Sequence, residues 1–222
     1  MSNLTQTEEN HLKAIFKLTE RESDPAGTNN IARELATTAA SVTDMLKRLA
    51  KKGLIDYVPR RGCTLTAEGQ TIATHLVRKH RLWETFLVDK LDFSWDEVHE
   101  IAEQLEHIQS PELVERLSAF LGHPRFDPHG DPIPDADGRM LDRIQVPLNQ
   151  LEINLSAVVV GVREHEPAFL QFLDRSGLGL GAAFTLKDRS EYDQSLILEL
   201  EAGREITVSQ KVGRNLLVQA QN

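Results

Sequence analysis

The 222-residue chain has a single cysteine, Cys63. No internal disulfide can form, which fits a reducing cytoplasm, and the thiol reads as a small apolar side chain. Aromatic residues are sparse at 5%. No apolar run approaches the roughly 18 residues of a membrane helix, and Met1-Ser2-Asn3 leads into polar residues rather than a secretory leader. A cytoplasmic chain with no membrane contact is expected. Catalytic motifs are missing as well. His99-Glu100 is followed by Ile-Ala-Glu, so there is no H-E-x-x-H, and no Ser/His/Asp arrangement surrounds it. This argues against a metallohydrolase and against an enzyme in general. Net positive charge is also lacking: the formal charge is −9, which taken whole speaks against a nucleic-acid partner.

The distribution of charge reverses that reading. Residues 1–80 hold 12 Lys+Arg against 9 Asp+Glu, whereas residues 81–222 hold 13 against 25. A basic head on an acidic body is the footprint of a DNA-binding regulator. Hydrophobic content of 40% is ample for a core. We expect a mainly α chain with a small β part: a winged helix-turn-helix over residues 1–73, a helical domain over 74–146, and a β domain over 147–222.

The head is legible element by element. Thr5-Gln6-Thr7-Glu8 is a capping box opening a helix with Leu12, Ile15 and Phe16 inward. Pro25-Ala26-Gly27 breaks it, and a short helix from Asn29, the turn Thr37-Thr38 and a helix from Ala39 to Lys52 follow. Ile31, Leu35, Val42, Leu46 and Leu49 fall where two crossing helices share a core, the pattern of a helix-turn-helix. Leu54 to Val58, the basic turn Pro59 to Gly62 and Cys63 to Thr66 read as a wing. Thr38, Ser41, Thr43 and Asp44 lie at the exposed start of the second helix, where base edges are met. Lys47, Arg48, Lys51, Lys52, Arg60 and Arg61 surround them as phosphate neutralisers. A protein-interaction module is the alternative for such a helix-plus-hairpin head.

A second constellation lies further on. Ser94 to Gln109 opens with Ser94 and Glu97 at capping-box spacing and is expected to be one helix. Val98, Ile101, Ala102, Leu105 and Ile108 form its core stripe, while His99, Glu103, Glu106 and His107 share another face. Imidazoles and carboxylates crowded together suit Mn, Fe, Zn, Co or Ni. An acidic solvated face with incidental histidines is the bland alternative. His80 and Glu84 repeat the pairing at i, i+4 on an earlier helix, so two helices could close a cage.

Arg78-Lys79-His80-Arg81-Leu82 with Glu84 and Leu87, followed by Val98-His99, Ala102 and Glu106-His107, resembles the metal-dependent repressors of the diphtheria-toxin-repressor family. The resemblance runs over nearly the whole chain. It implies a homodimer that binds a palindromic double-stranded DNA operator when loaded with a divalent metal. It also implies a primary site of Glu103, Glu106, His107 and Asn10. The iron-responsive branch has a thioether at the Asn10 position and a cysteine at the Glu103 position. Oxygen donors at both positions harden the site and favour Mn(II), with Fe(II) the competitor.

The loop from His123 to Met140 contains Phe126-Asp127-Pro128-His129-Gly130-Asp131-Pro132-Ile133-Pro134, which resembles the family's PHGxPIP segment. A rigid Pro-rich connector is the other reading. The resemblance implies an ancillary site of His80, Glu84 and His99 on the iron-sensing pattern, or Glu84, Asp127 and His129 on the manganese-sensing one. Glu166 is the matching ligand from the C-terminal part. Short runs at Ser156–Val162, Ala182–Lys187, Ser195–Leu200, Glu205–Val208 and Leu216–Gln219, with a helix at Ala168–Leu173, suggest a small closed barrel. It resembles the SH3-like, FeoA-type domain of long family members. Phe169 stands where the family pattern has a Gln.

Overall fold

The computed structural model describes residues 4–22 and 24–221. They pack as two compact units. The first holds the described residues up to 80 with 105–115 and 134–140; the second holds 81–104, 116–133 and 141–221.

In the first unit, helix α1 (Gln6–Glu22) starts at the capping box. Thr5 N–H donates to Glu8 Oε2 at 3.0 Å and Glu8 N–H to Thr5 Oγ1 at 3.3 Å. Helices α2 (Thr28–Glu34) and α3 (Ala39–Lys51) follow, then the hairpin β1 (Ile55–Val58) and β2 (Gly62–Leu65). Leu12, Ile15, Ile31, Leu46, Leu49 and Leu54 are buried together with Cys63 in one core. Each such side chain contributes about 2 kcal/mol by leaving water. Gly62 has φ +98°, and a Cβ there would lie 2.7 Å from Ala26 O. The missing side chain lets β2 bridge to Ala26, whose N–H donates to Cys63 O at 2.8 Å. Helix α4 (Ala67–Leu91) is capped by Thr66, whose hydroxyl accepts from Gly69 N–H at 3.2 Å. Its residues to His80 belong to this unit.

In the second unit, the rest of α4 joins α5 (Val98–Leu105), the end of α6 (Pro111–Phe120) and a six-stranded antiparallel sheet. The strands are β3 (Val146–Pro147), β4 (Ser156–Val162), β5 (Ala183–Arg189), β6 (Leu196–Leu200), β7 (Glu205–Val208) and β8 (Leu216–Ala220). Helix α7 (Pro167–Ser176) buries Phe169, Leu170 and Leu173 in the core of the sheet.

Two expectations need correction. The sheet is open, in the order β3-β8-β4-β5-β6-β7, and its edge strands β3 and β7 do not pair among the described residues. β3 is two residues long and ends in Pro147, which has no N–H to donate. A short helix, α8 (Gln210–Asn215), also intervenes between β7 and β8 and packs on β3. The Ser94–Gln109 helix is shorter than its hydrophobic stripe suggests. Glu97 does reach back to Ser94 N–H at 3.2 Å, but the Ser94 hydroxyl donates to Asp96 instead of capping Glu97. Residues 95–97 form a turn, and Glu106 and His107 lie beyond the helix end.

Candidate metal centres and nucleic-acid interface

Helix α3, the candidate recognition helix, carries Thr38 at its N-cap, where the hydroxyl accepts from Ser41 N–H at 3.2 Å. Thr38, Ser41 and Asp44 are exposed, whereas Thr43 is half-buried and its hydroxyl donates to Ala39 O at 2.8 Å. The cations Lys47, Arg48, Lys51, Lys52, Arg60 and Arg61 are all exposed, and Arg60 at the wing turn has φ +68°. Lys47 pairs with Asp44 at 3.4 Å. Arg48 and Lys52 are tied to the buried Glu8 of α1, at 3.4 and 2.7 Å. Burial acts to raise the Glu8 carboxyl, but Lys52, the Thr5 N–H and Arg48 outweigh it and hold the group below its ordinary value. Glu8 thus caps α1 and clasps the end of α3.

The same helix, α1, carries the candidate ligand Asn10 and touches two others of the first unit, Glu106 and His107. Glu106 is wholly buried, with Lys13 Nζ 2.7 and 2.8 Å from its two oxygens. His80 Nδ1–H donates to Glu106 Oε2 at 2.6 Å. His107 Nδ1–H donates to Glu9 Oε2 at 2.6 Å, which leaves Nε2 as the lone-pair nitrogen, 3.8 Å from Glu106 Oε1. A carboxylate on the far ring nitrogen is what fixes the tautomer of a metal-binding histidine. Asn10 Oδ1 is buried with no hydrogen-bond partner among the described residues, a donor oxygen in want of a cation. Glu9, which orients His107, was not visible as a functional residue in the sequence. Its adjacency to Asn10 is the only hint there.

The second unit gathers the rest. One donor atom from each of Glu84, Asp127 and His129 lie within 4.8 Å of one another, and all three residues are buried. His129 Nε2–H donates to Trp95 O at 2.8 Å, which leaves Nδ1 as the ring nitrogen facing Glu84. That nitrogen is buried, has no hydrogen-bond partner among the described residues, and stands 3.6 Å from Glu84 Oε2. Burial opposes the imidazolium, yet Glu84 and Asp127 outweigh it and push His129 up to about 9. Burial, Asp131 and Glu84 push Asp127 up to about 7, against His129 and Arg81. Asp127 Oδ1 also accepts from His129 N–H at 2.8 Å and Asp131 N–H at 3.0 Å, which shapes the loop. Gly130 closes it: a Cβ there would lie 2.1 Å from Val160 O, so the loop packs directly on β4.

His99 Nδ1 is 3.3 Å from Glu84 Oε1, and its Nε2 is 3.7 Å from Glu103 Oε1, both at the half-exposed rim. Glu166 is exposed at the N-cap of α7, outside the Glu84–Asp127–His129 set. Its neighbour His165 instead stacks on His129 with ring centroids 4.6 Å apart and places Nε2 3.8 Å from Asp131 Oδ2. Phe169 is core and offers no donor atom. His165, Asp131 and Arg81 are additions that the sequence did not single out. Arg81 lies 3.7 Å from Asp127 Oδ2 and 3.4 Å from Asp131 Oδ2. Converging carboxylate and imidazole donors with orphaned lone pairs fit a divalent cation in both units.

A winged head joined to such donor sets is the make-up of a metal-responsive DNA-binding regulator, and comparison with known proteins makes this specific. Residues 3–63 match the model described as iron dependent repressor, N-terminal DNA binding domain. Residues 66–135 match the iron dependent repressor metal binding and dimerisation domain, and residues 146–220 match the FeoA domain. The chain is 35% identical over 134 residues to the iron-dependent repressor IdeR of Mycobacterium leprae, covering 60% of this chain and 58% of that protein. It is 32% identical to the diphtheria toxin repressor of Corynebacterium glutamicum, over 74% of this chain and 75% of that one. Among solved structures, a manganese-dependent transcriptional repressor in complex with manganese is similar at a TM-score of 0.89. It shares 31% identity, over 96% of this chain and all of that one. The manganese regulator SloR gives a TM-score of 0.79 at 30% identity, over 98% of this chain and all of that one. The chain belongs to the iron-dependent repressor family, in the form that carries a C-terminal FeoA domain.

Proposed function

We propose that the chain is a manganese-dependent transcriptional repressor of metal-homeostasis genes, acting in the cytoplasm as a homodimer on a palindromic operator, and regulatory rather than catalytic. The observation that carries the reading is the buried Glu84–Asp127–His129 set with its unpartnered His129 nitrogen. Carboxylate oxygens outnumber imidazole there and no sulfur takes part, the preference of a hard cation. Similarity to manganese-dependent structures supports Mn(II). Similarity to iron-dependent relatives keeps Fe(II) as the second reading.

In the first unit Glu106, His107 and Asn10 would hold an ion, with Glu9 orienting His107. In the second, Glu84, Asp127 and His129 would do so, with His99 and Glu103 as further donors. A bound dication supplies positive charge that lets these carboxylates converge. α1 carries Asn10 and, at Glu8, the counter-charge of Arg48 and Lys52, so its position registers on α3. Metal acts through its greater affinity for the DNA-competent arrangement. Phe120 exposes 65% of its surface beside Phe86, apolar area suited to a second copy. The test is operator binding titrated with Mn(II) and with anaerobic Fe(II), with and without chelator. Activation by Fe(II) at far lower free concentration would replace manganese by iron, and binding unmoved by chelator would remove the metal altogether.

A further inference from the structure

Outside the donor atoms, the most unusual group in the molecule is Lys13. Its side chain is 5% exposed and that of Glu106 is 0% exposed. A lysine buried to this degree is rare unless paired, and here a single ammonium spans both carboxylate oxygens, at 2.7 and 2.8 Å. His80 closes the remaining approach to Oε2 at 2.6 Å. The oxygen nearest the His107 lone pair, Oε1, is therefore already answered by a cation that the chain itself supplies.

We propose that Lys13 is a built-in rival of the metal at Glu106 and sets how much free divalent cation the first unit needs before it loads. The inference rests on the metal reading above. An ammonium and a dication repel each other and compete for the same carboxylate oxygen in a site with little water to screen them. Lys13 must leave Oε1 for an ion to bind there, and its flexible four-carbon stem permits this. Metal loading then replaces one cation by another instead of filling a bare anionic hole. The metal-free protein stays folded around a neutralised Glu106, and the affinity for metal is lowered by the strength of the Lys13 pair. Lys13 lies one helical turn beyond Glu9, the residue that orients His107, and five residues beyond Glu8, the clasp on α3. Its release is thus an event on α1.

A purely structural ion pair predicts that loss of Lys13 weakens everything. A rival predicts opposite signs. The experiment uses the full chain carrying Asp127→Asn and His129→Gln, which removes the other donor set. Mn(II) binding is read from loss of the aqueous ion's EPR signal, and thermal melting is followed without metal. Lys13→Met is expected to bind Mn(II) about tenfold tighter or more, as removal of a buried competing charge requires. Its metal-free melting temperature is expected to fall, while Lys13→Arg stays close to native in both. Should Lys13→Met not fold without metal, Lys13→Gln is read in the same way. Mn(II) binding that is unchanged or weaker in these neutral variants overturns the role of Lys13 alone. No Mn(II) binding by the native chain overturns the metal reading with it.

Discussion

The two donor clusters solve the same electrostatic problem in opposite ways. Around Glu106, negative charge is answered by a lysine on α1 and by the N–H of His80, so the cluster is closed and nearly neutral without metal. Around Glu84, two buried carboxylates face the buried His129, 3.6 Å from Glu84, and the half-exposed His99, 3.3 Å from Glu84, with Arg81 at 3.4–3.7 Å from the aspartates. There the strain shows as protons held where they are not usual, on His129 up to about 9 and on Asp127 up to about 7. The difference suggests a division of labour. A cluster whose carboxylate is answered by a lysine can exchange that lysine for metal, as the switch proposed above requires. A cluster left short of positive charge serves better as a standing structural site that anchors the loop to β4.

That comparison can be broken most sharply at His107. His107→Ala is expected to abolish metal-dependent operator binding, by about 100-fold or more, with little change in metal-free melting, because Lys13 still answers Glu106. A mobility shift with and without Mn(II) checks it. His129→Ala is expected to lower the number of metal ions bound per chain by one and to leave the metal-dependent switch itself in place. Equilibrium dialysis followed by elemental analysis reads the number. Replacing Glu103 by Cys is expected to shift preference from Mn(II) toward Fe(II) by about tenfold, since thiolate suits the later metal; paired titrations show whether it does. His165→Ala is expected to weaken the second site by about tenfold, the usual cost of losing a group that orients a ligand, whereas Glu166→Ala leaves it unchanged. The reverse ranking would restore Glu166 as the ligand. The smallest effect belongs to Cys63. Burial pushes its thiol up to about 12, so at pH 8 roughly one part in ten thousand is thiolate. Iodoacetamide should label the native chain no faster than it unfolds, as mass spectrometry can follow.

Much of this was legible where the signal is local. Thr5 and Glu8 cap α1 because both partners lie within one turn, and Thr66 and Ser110 cap α4 and α6 for the same reason. Strands β4 and β7 have the bounds that their alternation implies. The failures are competitions that a pattern does not display. The Ser94 hydroxyl turns to donate to Asp96, and the Glu97 N–H it would have capped goes to the Ser94 carbonyl at 3.0 Å. The end of α5 at Leu105 then leaves Glu106 and His107 outside the helix that carries His99 and Glu103, where periodicity had put all four on one face. At the start of α7, a shift of one residue decides that His165 stacks on His129 while Glu166 stays exposed. Helix α8, six residues long with Gly213 inside it, is too short for a period to show. Lys13 was invisible as a functional group because its partner is 93 residues away.

The clasp between Glu8 and the cations of α3 also alters how the head should feel ionic strength. Binding to duplex DNA is driven largely by release of condensed counterions, and each phosphate neutralised adds about 0.9 to the slope of log affinity against log salt. A cation already held by a carboxylate exchanges one anion for another and frees fewer ions from the duplex. Arg48 and Lys52 are so held, and Lys47 is half-held by Asp44, although all three are exposed to solvent, as Lys51, Arg60 and Arg61 are. The slope measured for the proposed metal-loaded dimer should therefore fall short of a count of its basic residues. Replacing Glu8 by Gln should steepen it, making the protein a tighter and less discriminating binder at low salt.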